Sequence, residues 1–275
     1  MHRKNFYYLP KKYHDTHRYC EYIVSQIEAF ITQRSFEQLR TQKVKLTPEQ
    51  SAALQNFDGD VLDFFEKYNL TDELNMVVSR RLLHALIMDT CYFLQEGFNC
   101  CLRMRMSVAF TLFRKPFSEI LIIYLRLLLD GQFLKRFSDE GNFNPVSLSK
   151  DKKLEYLNAV NSALGNMYVV NDLYEYLFDK SSGDNLYNIS NHAIHLYTDK
   201  NPVLQTEKQN LNFIFSGKDE IQDQWEYIYR ILPMLLSFLS DVIEFTVIAN
   251  TDIPDYVFRN RFRQRNHMRT RFKVN

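Results

Sequence analysis

Glycine and proline are scarce in this sequence, with 7 of each in 275 residues. A β-sandwich or barrel of that length needs many more turns, so the scarcity points away from those folds and toward long helices joined by few loops. The four cysteines, Cys20, Cys91, Cys100 and Cys101, form no C-x-x-C pair and no zinc-ligand spacing. They read as reduced, buried thiols of a reducing compartment. The opening Met1-His2-Arg3-Lys4 lacks the apolar stretch and small-residue cleavage site of a secretion signal. The two most apolar runs are Ile120 to Leu129, interrupted by Arg126, and Ile231 to Ala249, which holds Pro233, Asp241 and Glu244. Neither supplies the ~20 clean apolar residues of a bilayer-spanning helix, so no membrane partner is expected and the expected location is the cytoplasm. The motifs G-x-G-x-x-G, P-loop, G-x-S-x-G and H-E-x-x-H are missing too, which removes the common phosphate-cradle, serine-hydrolase and zinc-protease readings. No cofactor is expected.

What is present is helical patterning. Tyr19, Ile23, Ile27, Phe30 and Ile31 recur at helical spacing and predict a first helix from about Thr16 to Arg40. Thr47-Pro48-Glu49-Gln50 reads as a helix start, with Thr47 capping, Pro48 at the first helical position and Gln50 reaching back. Thr71 or Asp72 caps a long element whose apolar stripe runs to about Arg114, past Gly97, which costs about 1 kcal/mol against alanine in a helix. Pro116 to Phe137 is apolar nearly all round and predicts a central helix with neighbours on several sides. Further helices are expected from Ser149 to Gly165, from Met167 to Leu177, behind an Asp184 cap, and from about Asp219 onward. Thr198 to Lys218 reads as a loop, with Leu211 to Phe215 extended. These elements define an all-α multi-helix bundle with long central helices.

The net charge is +1, but it is unevenly placed. Arg259, Arg261, Arg263, Arg265, Arg269, Arg271 and Lys273 follow one another with no acid between them, so the remainder of the chain carries −6. The expected organisation is a helical domain over residues 1–257 and a basic tail over 258–275. Phe258, Phe262 and Phe272 alternate with the cations. Guanidinium groups clamp phosphates and aromatic rings stack bases, so all seven basic residues are nucleic-acid-binding candidates, with RNA the expected partner. A solubilising end, or a segment docking on acidic groups, accounts for the same composition.

Two H-x-x-H pairs occur, His14 with His17 and His192 with His195. Residues three apart share a helix face, so either pair could hold two corners of a metal site, with Asp15, Asp184 or Asp199 as a carboxylate partner. His14-Asp15 resembles the paired ligands of HD-type phosphohydrolases, but their other ligands have no match here. Ordinary hydrogen-bonded histidines explain both pairs, and no metal site is assigned. Asp184 to His195 places Asn188, Asn191, His192 and His195 near one face of a short helix, while Arg114, Lys115 and Glu119 sit at the head of the most buried segment. A histidine and an arginine meeting on facing helices would cleave RNA without metal. The histidine would move the 2′-hydroxyl proton and the arginine would stabilise the phosphorane charge. A polar layer that fixes helix register is the plainer alternative.

The arrangement of Arg114 and Glu119 on one helix, followed by Tyr187, Ser190 and His195 on a later short one, resembles the HEPN superfamily over about residues 75–250. That resemblance implies an all-α bundle, RNA binding or metal-independent ribonuclease activity, a setting in toxin–antitoxin or antiphage defence, homodimerisation, and an antitoxin or regulatory partner. On this reading His192 and His195 are the acid and base, Arg114 the phosphate stabiliser, and Glu119 and Asn188 the residues that orient them. The superfamily's Arg-x4–6-His spacing is not met before His192 or His195, where Asn188 is the nearest polar residue; its literal match is Arg261 to His267. A second reading stands beside this one: a non-enzymatic interaction or regulatory protein that binds nucleic acid or a protein through the basic tail.

Overall fold

The computed structural model describes residues 6–197, 205–206, 208, 211 and 217–274. It is 74% helical, and among the described residues there are twelve α-helices and no strand. The fold is therefore an all-α multi-helix bundle. The expected extended stretch at 211–215 lies, Leu211 apart, outside the described residues, as does Asp199.

Helix α1 spans His14–Thr32 and stops short of Arg40. Gln33 turns extended, and a 3-10 stretch, Arg34–Leu39, folds back to bury Phe36 and Leu39. Helix α2, Pro48–Gln55, starts on the expected capping box: the Gln50 amide donates to Thr47 Oγ1 at 3.2 Å and the Thr47 amide to Gln50 Oε1 at 2.9 Å. Asp60 caps α3, Val61–Lys67. Phe64, Phe65 and Val77 form a small satellite core under these two helices.

The expected helix to Arg114 is two helices, α4 (Thr71–Leu102) and α5 (Met106–Lys115). Met104 takes a left-handed conformation at φ 60°, and the chain reverses there so that α5 packs back on α4. The apolar stripe continues on both sides of the turn, so periodicity alone does not reveal the break. Gly97 is the reason the two helices approach closely. A Cβ at that position would lie 2.5 Å from Phe113 Cε1, and Phe113 is fully buried. This reverses the propensity argument: Gly97→Ala is expected to destabilise the protein by about 1–3 kcal/mol through overpacking, measured by urea unfolding, and a gain in stability would show that the ring has room to move.

Pro116 does not end the helical path. Lys115 and Pro116 both remain in the right-handed helical region, and Pro116–Ile120 widens into a π turn that leads into α6, Leu121–Leu129. Proline lacks an N–H and crowds the carbonyl four residues back, so a wider turn relieves the clash. Ser118 Oγ donates to the Arg114 carbonyl at 2.7 Å across this turn. Helix α6 ends at Asp130, before α7 (Phe133–Asp139).

Ser149 caps α8, Lys150–Ala163, and Gly165 at φ 74° ends it, both as expected. Next come α9 (Val170–Phe178) and α10 (Leu186–Ile194). Asn185, rather than Asp184, caps α10. The Asp184 carboxylate instead faces Arg230 at 3.2 Å.

Helix α11, Lys218–Asn250, is the axis of the bundle. Its Leu232, Leu235, Leu236, Leu239, Val242 and Ile243 are buried against α1, α4 and α6. By length and mean hydropathy α11 could cross a membrane, but 78% of its apolar window is already buried within the protein. The chain closes with α12, Asp255–Arg271. This helix occupies most of the expected tail and joins the main core through Phe258.

Candidate functional site

Helix α5 packs along α10, and this contact brings Arg114 to the polar short helix. Arg114 Nη1 donates to Asn191 Oδ1 at 2.9 Å, and its guanidinium carbon lies 4.2 Å from the centre of the Tyr187 ring. Tyr187 and Asn191 are one helical turn apart, so a single side chain reaches both. Lys180 Nζ stands 4.4 Å from the same ring. Arg114 therefore rests on two neutral partners, an amide oxygen and a phenol ring, and a second cation shares the ring. Two cations held by neutral groups leave a local positive potential open to phosphate oxygens.

Asn191 immediately precedes His192 in α10. His192 is half-buried and His195, the C-cap of the helix, is exposed. Glu119 is exposed on the π turn that follows α5. Lys115 points elsewhere, with Nζ 2.6 Å from Asp89 Oδ2. Asn188 is fully buried, and its Nδ2 donates to the carbonyls of Lys180 at 2.8 Å and Ser182 at 2.9 Å. Its amide is spent on holding the turn before α10. Asn188 therefore steadies the backbone that carries Lys180 and does not orient a catalytic group. Asn191, one turn on, is the asparagine that holds Arg114.

The expected tail divides into two faces. Arg261 and Arg265 are one turn apart and both point inward. Arg261 Nε donates to Glu244 Oε1 at 2.7 Å, and its Nη2 donates to the Gln26 carbonyl at 2.8 Å. Its guanidinium also lies 4.2 Å from the centre of the Phe30 ring. Arg265 reaches both Glu244 oxygens, at 2.6 and 2.8 Å, as well as Asp241 Oδ1 at 2.5 Å and Gln26 Oε1 at 3.1 Å. The Tyr168 hydroxyl donates to the other Asp241 oxygen at 2.6 Å. Burial pushes the Asp241 carboxyl up from its ordinary value, against the pull of Arg265. Burial lowers Arg261, whereas Glu244 and Asp241 hold Arg265 above its ordinary value despite burial. Both arginines are thus structural, sealed away from any phosphate. Arg259, Arg263 and Arg271 are exposed and form the outward basic face, while Arg269, one turn past Arg265, and Lys273, beyond the end of α12, are exposed at its C-terminal end. The literal Arg261-to-His267 spacing makes no site, because Arg261 is buried and His267 is exposed.

Each histidine of the first pair has a hydrogen-bond partner of its own. His14 Nε2 bonds to the Leu9 carbonyl at 2.9 Å and its ring stacks on Phe6. His17 is fully buried, with Nδ1 2.7 Å from the Tyr229 hydroxyl. Among the described residues no group of three or more His, Cys, Asp or Glu side chains is placed to hold a metal ion.

Sequence reasoning missed Tyr187 as a partner of Arg114, Lys180 as the second cation on that ring, and Gln26 as a partner of both buried arginines. It did register Asp241 and Glu244 as breaks in an apolar run. Two acids one turn apart on a core helix require buried cations, and Arg261 with Arg265 repeats that spacing. No family model, no curated protein and no solved structure matches this chain.

Proposed function

We propose that this protein binds RNA and cleaves it without a metal at the contact between α5 and α10. The observation that carries the reading is the docking of Arg114 on Asn191 and Tyr187, one residue from His192. Arg114 supplies positive charge for the phosphorane, held in place by neutral partners that leave that charge uncancelled. His192 and His195 serve as the proton-transfer groups, one taking the 2′-hydroxyl proton and the other protonating the leaving oxygen. The HEPN-like order of residues supports the same assignment, with a setting in toxin or antiphage systems. Replacing both His192 and His195 with alanine should lower cleavage of a single-stranded RNA by about 10²–10⁴-fold while RNA binding is retained. Unchanged cleavage in the double variant would remove the assignment.

A second reading is favoured by the outward face of α12. Arg259, Arg263, Arg269 and Arg271 are exposed along a helix that the inner arginines anchor to the core, and Lys273 follows its last turn. This face suits binding to nucleic acid without catalysis. Steeply salt-dependent RNA binding with no cleavage by the wild-type protein would select it.

A further inference from the structure

A cavity of about 520 Å³ opens between α11, α12 and the turn joining α8 to α9. It falls in the ~300–1,000 Å³ range of small-molecule sites. Its walls are apolar and rich in aromatic rings: Phe245 and Ile248 come from α11, Phe258 and Phe262 from α12. Leu164 and Met167 complete it from the turn, where Gly165 at φ 74° and Asn166 at φ 59° swing the chain outward. Phe245 and Phe262 are only half-buried, so their rings keep surface toward the open space.

The charges around the cavity do not cancel. Asp241 and Glu244 lie deep in it and are neutralised by Arg261 and Arg265. Nearer the solvent, Asp255 faces Arg259 at 3.5 Å. Four guanidinium groups against three carboxylates leave one positive charge, carried at the mouth, where Arg263 stands one helical turn from Arg259. The exposed Arg259–Asp255 pair is weak and easily exchanged for a better anion. An apolar, aromatic-walled chamber with guanidinium groups at its entrance fits a ligand with a flat hydrophobic body and a phosphate at one end.

We propose that this cavity is a nucleotide site, with the base against Phe245 and Phe262 and the phosphate held by Arg263 and Arg259. Aromatic faces accept any base by stacking, and arginine grips phosphate oxygens through paired N–H donors. The ligand is either a free nucleoside monophosphate or one unstacked nucleotide of a single strand. The site needs neither Arg114 nor His192, so it stands or falls apart from the cleavage reading.

The test is calorimetric titration of the full-length protein with adenosine and guanosine monophosphate and with ribose 5-phosphate, beside polarisation binding of a labelled oligoadenylate. At least one of the two monophosphates should bind, and ribose 5-phosphate should bind at least about tenfold more weakly because it has no base to stack. Phe262→Ala and Arg263→Glu should each weaken the monophosphate by about tenfold or more. Arg263 is exposed, so the second variant keeps the test valid if the first disturbs folding. Displacement of the labelled oligoadenylate by the monophosphate identifies a nucleotide of a strand as the occupant. Oligoadenylate that stays bound at saturating monophosphate identifies a free nucleotide. Failure of both monophosphates to bind, ribose 5-phosphate binding as tightly as they do, or affinities unmoved in Arg263→Glu would each overturn the proposal.

Discussion

Replacing Arg265 with alanine is expected to destabilise the fold by about 3–5 kcal/mol, the cost of stranding buried charge. Arg265 donates to four oxygens, on Asp241, Glu244 and Gln26, and all three side chains are buried. Without it, Glu244 keeps only Arg261, and Asp241 keeps only the Tyr168 hydroxyl. Burial already pushes Asp241 toward its neutral form, and removing the guanidinium removes the main opposing pull. Lysine should not rescue the loss, because a single ammonium cannot span Asp241 and both Glu244 oxygens as the planar fork does. Arg263→Ala on the outward face of the same helix should change stability by no more than about 0.5 kcal/mol. Urea denaturation of the three variants measures this directly. A loss below about 1 kcal/mol for Arg265→Ala would mean that water reaches the carboxylates and that α12 is not fixed by the network.

Arg114→Ala should lower RNA cleavage by about 10²–10³-fold with the fold intact, the effect of deleting a donor aimed at developing charge. The side chain meets α10 at its surface, through an amide oxygen and a ring face, so its loss strands no buried charge. Helices α5 and α10 remain packed together and both stay rooted in the main core, through Phe110 and Phe113 on one and Leu186 on the other. Lysine at position 114 should restore little activity, since its compact ammonium lacks the planar fork that lies over the Tyr187 ring while bonding Asn191. Asn191→Ala should give a smaller fall, because Asn191 positions the guanidinium and does not itself meet the phosphate. Single-turnover cleavage of a fluorogenic RNA, with circular dichroism on the same samples, separates chemistry from unfolding. Wild-type rates in Arg114→Ala would assign Arg114 to helix packing alone.

Several features of the fold were legible in the sequence because they are local. The Thr47 capping box, the Ser149 cap and the Gly165 stop are each settled by a few neighbouring residues. The turn at Met104 was not legible. An apolar stripe that stays in phase on both sides of a reversal carries no mark of it, and a methionine in a left-handed conformation is stabilised by the packing it permits. Gly97 shows the same limit. Helix propensity disfavours glycine there, but the Phe113 ring from α5 occupies the space a side chain would need.

The candidate sites divide along the same line. Sequence alone placed Arg114 and the two histidines on separate helical elements and picked out the arginine-rich end, because residue type and charge density need no third dimension. Tertiary structure decided which of those groups meet. It set Arg114 on Asn191 and Tyr187, spent Asn188 on a backbone turn, and split the basic segment into a sealed inner pair and an exposed outer face. The physical reason is burial. A guanidinium is the same group in any sequence, but whether it offers its charge to a phosphate or spends it on Asp241 and Glu244 depends on which side of the helix faces the core.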